Sequence, residues 1–169
     1  MVDVTPPPIH VRRATDADAE DMFRVHVESI LRLCAKDYTP EQIRAWIDPK
    51  HPDNYRKAMR EGETHFVATA GREVIGFACH IGGEVNAVYV HPDHVRRGAG
   101  RALLAAIEQN AAAHGVHHLE LNSTITSVSF YERNGFRQLR EKLHTLKPSG
   151  VQLECIRMAK DLVPRINPE

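Results

Sequence analysis

Three arginines surround a Gly-x-Gly step in the run Arg96-Arg97-Gly98-Ala99-Gly100-Arg101. The stretch before it reads as a strand end. After it, Leu103, Leu104, Ile107 and Ala111 fall at helical spacing. A turn that opens a helix leaves backbone N–H groups without internal partners and adds the positive end of the helix dipole. Such a turn binds phosphate. Gly98 and Gly100 would let the main chain approach an anion without an intervening Cβ, and Arg96, Arg97 and Arg101 add formal charge there. The chain carries 22 Lys plus Arg against 22 Asp plus Glu, so this positive charge is local and not a bulk field. The spacing is not a P-loop, because no Gly-Lys-Ser/Thr follows. It is not the dinucleotide fingerprint either, whose third glycine is replaced by Leu103. On these residues alone, an ordinary glycine loop with surface arginines stays open.

The other reactive residue types point to less. The 11 histidines include His91 and His94 around a Pro-Asp pair, and His114, His117 and His118 around Gly115. Neither group puts two imidazoles on one helix face in a zinc pattern, so no metal is expected and the histidines read as solvated surface residues. Cys34, Cys79 and Cys155 are odd in number and scattered. A disulfide framework is therefore not expected, and a reduced, cytoplasmic setting is. Neither a secretory leader nor an apolar run of about 18 residues is evident, so no membrane contact is expected. Neutral composition without an aromatic-basic run argues against nucleic acid as a partner.

The elements that must hold the Gly-x-Gly turn follow from periodicity and punctuation. Ile9 to Arg13 reads as a strand, and Thr15 opens an amphipathic helix over about 16–35. Thr39-Pro40-Glu41-Gln42 is a second helix start: Thr39 caps, Pro40 suits the first position and Gln42 completes a capping box. A third short helix fits Asn54 to Arg60. HFVATA, EVIGFACHI and EVNAVYV, separated by Gly71-Arg72 and Gly82-Gly83, form a three-stranded meander. The helix after the turn runs from about Gly98 to His114 and stops at Gly115. A strand over Val116 to Asn122, a short helix ending at Asn134-Gly135 and two closing strands complete the chain. The strand–helix–strand unit from Glu84 to Asn122 demands a parallel pair inside an otherwise antiparallel sheet. The fold class is therefore α+β, one domain over 1–169, with 1–8 a loose arm and 160–169 a tail.

Tyr89-Val90-His91-Pro92 followed by Gly98-Ala99-Gly100 resembles the pyrophosphate loop of the GNAT family (GCN5-related N-acetyltransferases), in which Gln/Arg-x-x-Gly-x-Gly/Ala follows a strand. Val95 stands where Gln or Arg is usual. Ser127 to Phe136, with Phe130-Tyr131-Glu132 and Gly135-Phe136, is similar to a second family signature, with Ser127 in place of Ala and Thr124 where Asn is common. Ser29 to Trp46 is similar to a group of small bacterial members. The resemblance covers Ile9 to about Met158.

This resemblance implies a twisted mixed sheet of six to seven strands with four to five helices. The fourth and fifth strands splay into a V that holds acetyl-CoA. It implies cofactor contacts at Val88, Tyr89, Val90, Val95, Arg96, Arg97, Gly98, Ala99, Gly100, Arg101, Asn122, Ser127 and Tyr131. It assigns Tyr131 as the acid that protonates the leaving thiolate, with Phe130 in the core, and Glu84 as a base. Strand alternation would put Glu84 on one face with Asn86, Val88 and Val90. A solvated strand-end charge is the alternative for Glu84, and His80, His118 and Glu120 are lesser base candidates. Trp46 reads as core and Tyr38 as an acceptor-site residue. The implied function is direct acetyl transfer to a primary amine in a ternary complex, by a monomer or homodimer. A catalytically degenerate acyl-CoA-binding sensor or assembly partner is the alternative.

Overall fold

The computed structural model describes residues 5–163. It consists of β1 (Ile9–Arg13), α1 (Ala19–Ser29), α2 (Pro40–Ile47), α3 (Pro52–Arg60), β2 (Thr64–Ala70), β3 (Glu73–Ile81), β4 (Glu84–Val90), α4 (Ala99–Ala113), β5 (His118–Thr124), α5 (Val128–Arg133), β6 (Arg137–Thr145) and β7 (Gln152–Asp161). The strands make one seven-stranded sheet in the order β1-β2-β3-β4-β5-β7-β6. Every pairing is antiparallel except β4 with β5. That parallel pair meets only at Glu84–Glu120 and Val85–Leu121, and the two strands then diverge toward their C-terminal ends. The fold is the expected α+β type with a splayed fourth and fifth strand.

Both sheet faces are covered. Leu103, Leu104, Ile107 and Ala111 of α4 pack on Phe66, Ile75, Ala78, Val85, Leu119 and Leu121. On the opposite face Met22 and Val25 of α1 and Tyr55 of α3 meet Val67, Val74 and Phe77. A third cluster joins Ile43 and Trp46 of α2 to Leu146 and Leu153 of the final hairpin. The α2 capping box forms as read: Gln42 N donates to Thr39 Oγ1 at 3.2 Å and Thr39 N donates to Gln42 Oε1 at 2.9 Å. At the start of α1, Asp18 Oδ2 accepts from the Thr15 backbone, and both Asp18 oxygens accept from the Arg12 guanidinium at 2.8 Å.

Four expectations change. The first helix is not one α-helix over 16–35: a 3-10 turn at Asp16–Asp18 precedes α1, and a π-helical turn at Ile30–Cys34 follows it. The final strand runs to Asp161, so the tail does not begin at 160; residues 1–4 and 164–169 lie outside the described residues. His65, His80 and His91 are buried, contrary to a solvated reading, because each lies on or beside a strand covered by helices. The alternation along β4 is interrupted. Cys79 faces Ala87 but His80 faces Val85, which leaves Asn86 as an extra, bulged residue. Val85, Val88 and Val90 therefore share the α4 face while Ala87 and Tyr89 point to the α1 side, and Glu84 is not on the face of Val88 and Val90.

Candidate active site

The divergence of β4 from β5 leaves main-chain groups unpaired on both arms of the V. His91 N donates to Ile75 O at 2.7 Å. Antiparallel alternation then turns the N–H and C=O of Tyr89 toward β3, and those of Val88 and Val90 toward the gap. On the other arm Glu120 N donates to Gly83 O at 2.9 Å, which sets the N–H of Asn122, two residues on, facing the same gap. Val90 O is held by the buried Ser29 of α1, whose hydroxyl donates to it at 2.7 Å.

The turn after β4 passes through a 3-10 turn at Pro92–His94 and two left-handed residues, Arg96 with φ 61 and Gly98 with φ 88. These reverse the chain so that α4 starts at the open end of the V. The first bond of the helix is Ala102 N to Gly98 O at 3.0 Å, so the N–H groups of Ala99, Gly100 and Arg101 have no helical partner. The two glycines serve different ends. Gly98 supplies a backbone conformation that L-residues disfavour. A Cβ on Gly100 would lie 3.1 Å from the Phe130 ring, so its small size lets α4 pack on α5. Arg96 and Arg101 are exposed at the turn. Arg97 is turned elsewhere, its guanidinium 3.0 Å from His94 Nδ1 and donating to Pro7 O at 3.1 Å, so that it anchors the arm before β1. Val95 is exposed.

Tyr131 and Phe130 both pack on the core cluster beneath α4. Tyr131 is the buried ring, packed on Phe136, while Phe130 is half-buried against Gly100. The Tyr131 hydroxyl has no hydrogen-bond partner among the described residues. Burial, followed by the nearby Cys79, holds this phenol well above its ordinary value, so it stays protonated. Ser127 stands at the N-cap position of α5 without a side-chain capping bond, and its hydroxyl accepts from Thr124 Oγ1 at 3.1 Å.

Glu84 lies at the vertex of the V. Its two oxygens accept from Arg157 Nη1 and Nη2 at 2.6 and 2.7 Å, and the same guanidinium reaches Glu120 Oε2 at 2.6 Å and Asn122 Oδ1 at 3.2 Å. Arg157 thus bolts β4, β5 and β7 together where they part. His80 joins the Gly82 carbonyl and Asn110, 2.9 Å from each, and His118 pairs with Asp161 at 2.6 Å. The Tyr38 hydroxyl donates to Glu154 O at 2.6 Å and accepts from Ile125 N at 3.0 Å, tying α5's approach to β7. Burial pushes its phenol up to about 12. Tyr38 is a structural clamp, and its hydroxyl is not free to meet an acceptor.

One cluster on the α1 side has no signature in the sequence. His26 lies with its ring centroid 4.2 Å from Tyr89 and 5.3 Å from Phe77, and its Nδ1 is 2.8 Å from Tyr55 Oη. Burial, and then the charge of Lys50, hold His26 well below its ordinary value. Burial brings Lys50 itself down to about 8. The amphipathic spacing of α1 identifies His26 as a neighbour of the core, but only the packing of α3 and β4 around it reveals the enclosure.

The acetyltransferase (GNAT) domain family model matches residues 34–152. Among curated proteins the chain is 22% identical over 134 residues to an uncharacterized N-acetyltransferase, YafP, of Escherichia coli K12, covering 79% of this chain and 85% of that one. Among solved structures it superposes with a TM-score of 0.84 on a GCN5-related N-acetyltransferase (aminotransferase, class-II) of Rhodopseudomonas palustris, at 29% identity over 96% of this chain and 99% of the other. It also superposes on the PaiA N-acetyltransferase of Thermoplasma acidophilum, in complex with coenzyme A, with a TM-score of 0.72 at 25% identity over 91% and 99%. The family model spans the α4 turn, the splayed strands and the Phe130-Tyr131 segment, and by that match the chain belongs to the GNAT family of acetyltransferases.

Proposed function

We propose that this protein transfers the acetyl group of acetyl-CoA directly to a primary amine in a ternary complex. The observation that carries the reading is the V itself: unpaired main-chain groups at Val88, Val90 and Asn122 end at the free N–H groups of Ala99, Gly100 and Arg101. The strand edges suit the amide-bearing pantetheine arm, and the helix start, with Arg96 and Arg101, suits the pyrophosphate.

An alkyl amine is mostly ammonium at neutral pH and must lose a proton before it attacks. Glu84 has both oxygens committed to Arg157, so the base is better sought at His26. That residue sits one helical turn before Ser29, on the side of β4 away from α4. With Nδ1–H donating to Tyr55, Nε2 keeps a lone pair for the amine proton. The C–N bond forms as the Val90 N–H stabilises the oxyanion. The C–S bond then breaks, and Tyr131 donates its proton toward the departing sulfur and is reprotonated from solvent.

Calorimetric titration with acetyl-CoA, paired with thiol release over a panel of amines, tests this reading. Saturable binding with turnover on one amine class is the expected result. Binding without turnover on any amine would favour an acyl-CoA-binding sensor, and failure to bind would remove both.

A further inference from the structure

Glu63, His65 and Cys79 gather on the sheet face opposite α4, away from the V. His65 and Cys79 are directly opposed on β2 and β3, which places their Cβ atoms on one face within side-chain reach. Glu63 precedes His65 by two residues and so comes to the same face. One donor atom from each of the three lies within 4.8 Å of the others.

The hydrogen bonding of this group is incomplete. His65 is 3% exposed, yet its Nδ1 has no hydrogen-bond partner among the described residues. Its Nε2 lies 2.6 Å from Glu63 Oε1, so one ring nitrogen faces the carboxylate and the other faces no partner. Glu63 Oε2 accepts from Asn86 Nδ2 at 2.6 Å, which fixes the carboxylate from behind. Buried imidazoles are ordinarily hydrogen-bonded or ligated. A thiolate, an imidazole and a carboxylate are the donor types that zinc takes, and a carboxylate oriented by a side-chain amide is the usual outer support of such a site.

We propose that Glu63, His65 and Cys79 bind a divalent zinc-type metal ion. The ion would take the Cys79 thiolate, with its proton released to solvent, one His65 nitrogen and one Glu63 oxygen. A fourth, water-filled position would lie toward Glu63, whose side chain is the more exposed at 18%. Bound there, the metal would pin the loop after α3 to β2 and β3, beside the Asn86 bulge of β4. The site depends on no assumption about acetyl transfer.

The test uses the full-length protein, stripped with a chelator and reloaded with cobalt(II) or zinc(II). The expected result is one equivalent bound. The cobalt form should show thiolate-to-cobalt charge-transfer absorption that is lost in Cys79→Ser and retained in Cys34→Ser and Cys155→Ser. Zinc affinity should fall more than about 100-fold in Cys79→Ser and in Glu63→Gln, since loss of an outer-sphere partner alone costs about 10–100-fold. If Cys79→Ser does not fold, X-ray absorption of zinc-loaded wild type reads the sulfur neighbour directly. A wild-type protein with no thiolate signature, or metal binding that survives Glu63→Gln unchanged, would overturn the proposal.

Discussion

Replacing Tyr131 with Phe removes one hydroxyl and leaves the ring in the core it shares with Phe136. The protein should fold normally and bind acetyl-CoA with little change, while turnover falls roughly 100-fold, the lower range for losing a general acid. Stopped-assay kinetics with separate kcat and KM decide this, and unchanged kcat would take Tyr131 out of the mechanism. His26→Gln should lower kcat by a similar factor, roughly 100-fold, without raising KM for acetyl-CoA, because His26 lies on the α1 side of β4. A variant that instead loses acetyl-CoA affinity would mark His26 as part of the scaffold. The two residues differ in how they can be found. Tyr131 sits inside a sequence signature, whereas His26 is one of 11 histidines and stands out only once Tyr55, Phe77 and Tyr89 close around it.

At the level of elements, two positions govern the V. Gly98 holds φ at 88, and an Ala there pays about 1–2 kcal/mol of left-handed strain. Gly98→Ala should lose that much stability in urea unfolding and weaken acetyl-CoA binding, since the same turn sets the direction of the free N–H groups. Arg157 joins Glu84 and Glu120, and its side chain is only 11% exposed. Arg157→Met leaves two carboxylates facing each other at the vertex. A cost of about 1–3 kcal/mol follows for unpaired charged groups that remain partly solvated, and high salt should recover part of it by screening. Melting midpoints at low and high ionic strength measure this; equal losses at both would mean that Arg157 acts through packing.

Over the whole molecule, histidines whose pKa shifts on folding make stability depend on pH. His26 has a folded pKa held below its unfolded value near 6.5. Its contribution is complete above that value and is lost as pH falls, because the unfolded chain takes up a proton that the folded chain refuses. His144, lowered by burial and nearby lysines, acts in the same direction. His118, raised by Asp161 and Glu120, acts in the opposite direction but is exposed and screened. Stability should therefore fall by up to about 1.4 kcal/mol per pH unit per proton below pH 6.5. His26→Gln should flatten that slope in denaturant melts collected between neutral pH and pH 5.

Local rules account for a good part of this protein. The Thr39 capping box, the meander from Thr64 to Val90 and the Gly98–Gly100 helix start were readable because each is decided by residues within a few positions of one another. Parallel pairing of β4 and β5 followed from the helix between them. Contacts between distant segments were not readable. The Asn86 bulge depends on how β3 and β4 settle their register and it reverses the facing of Glu84. Arg97 turns to Pro7, 90 residues away, and Glu84 is claimed by Arg157, 73 residues away. His65 and Cys79 become neighbours only through strand pairing. Sequence periodicity fixes which elements form and which way the chain reverses. Which side chains remain free for chemistry is decided by the partners that folding brings from far along the chain, because a charged or hydrogen-bonding group is spent on whichever partner reaches it.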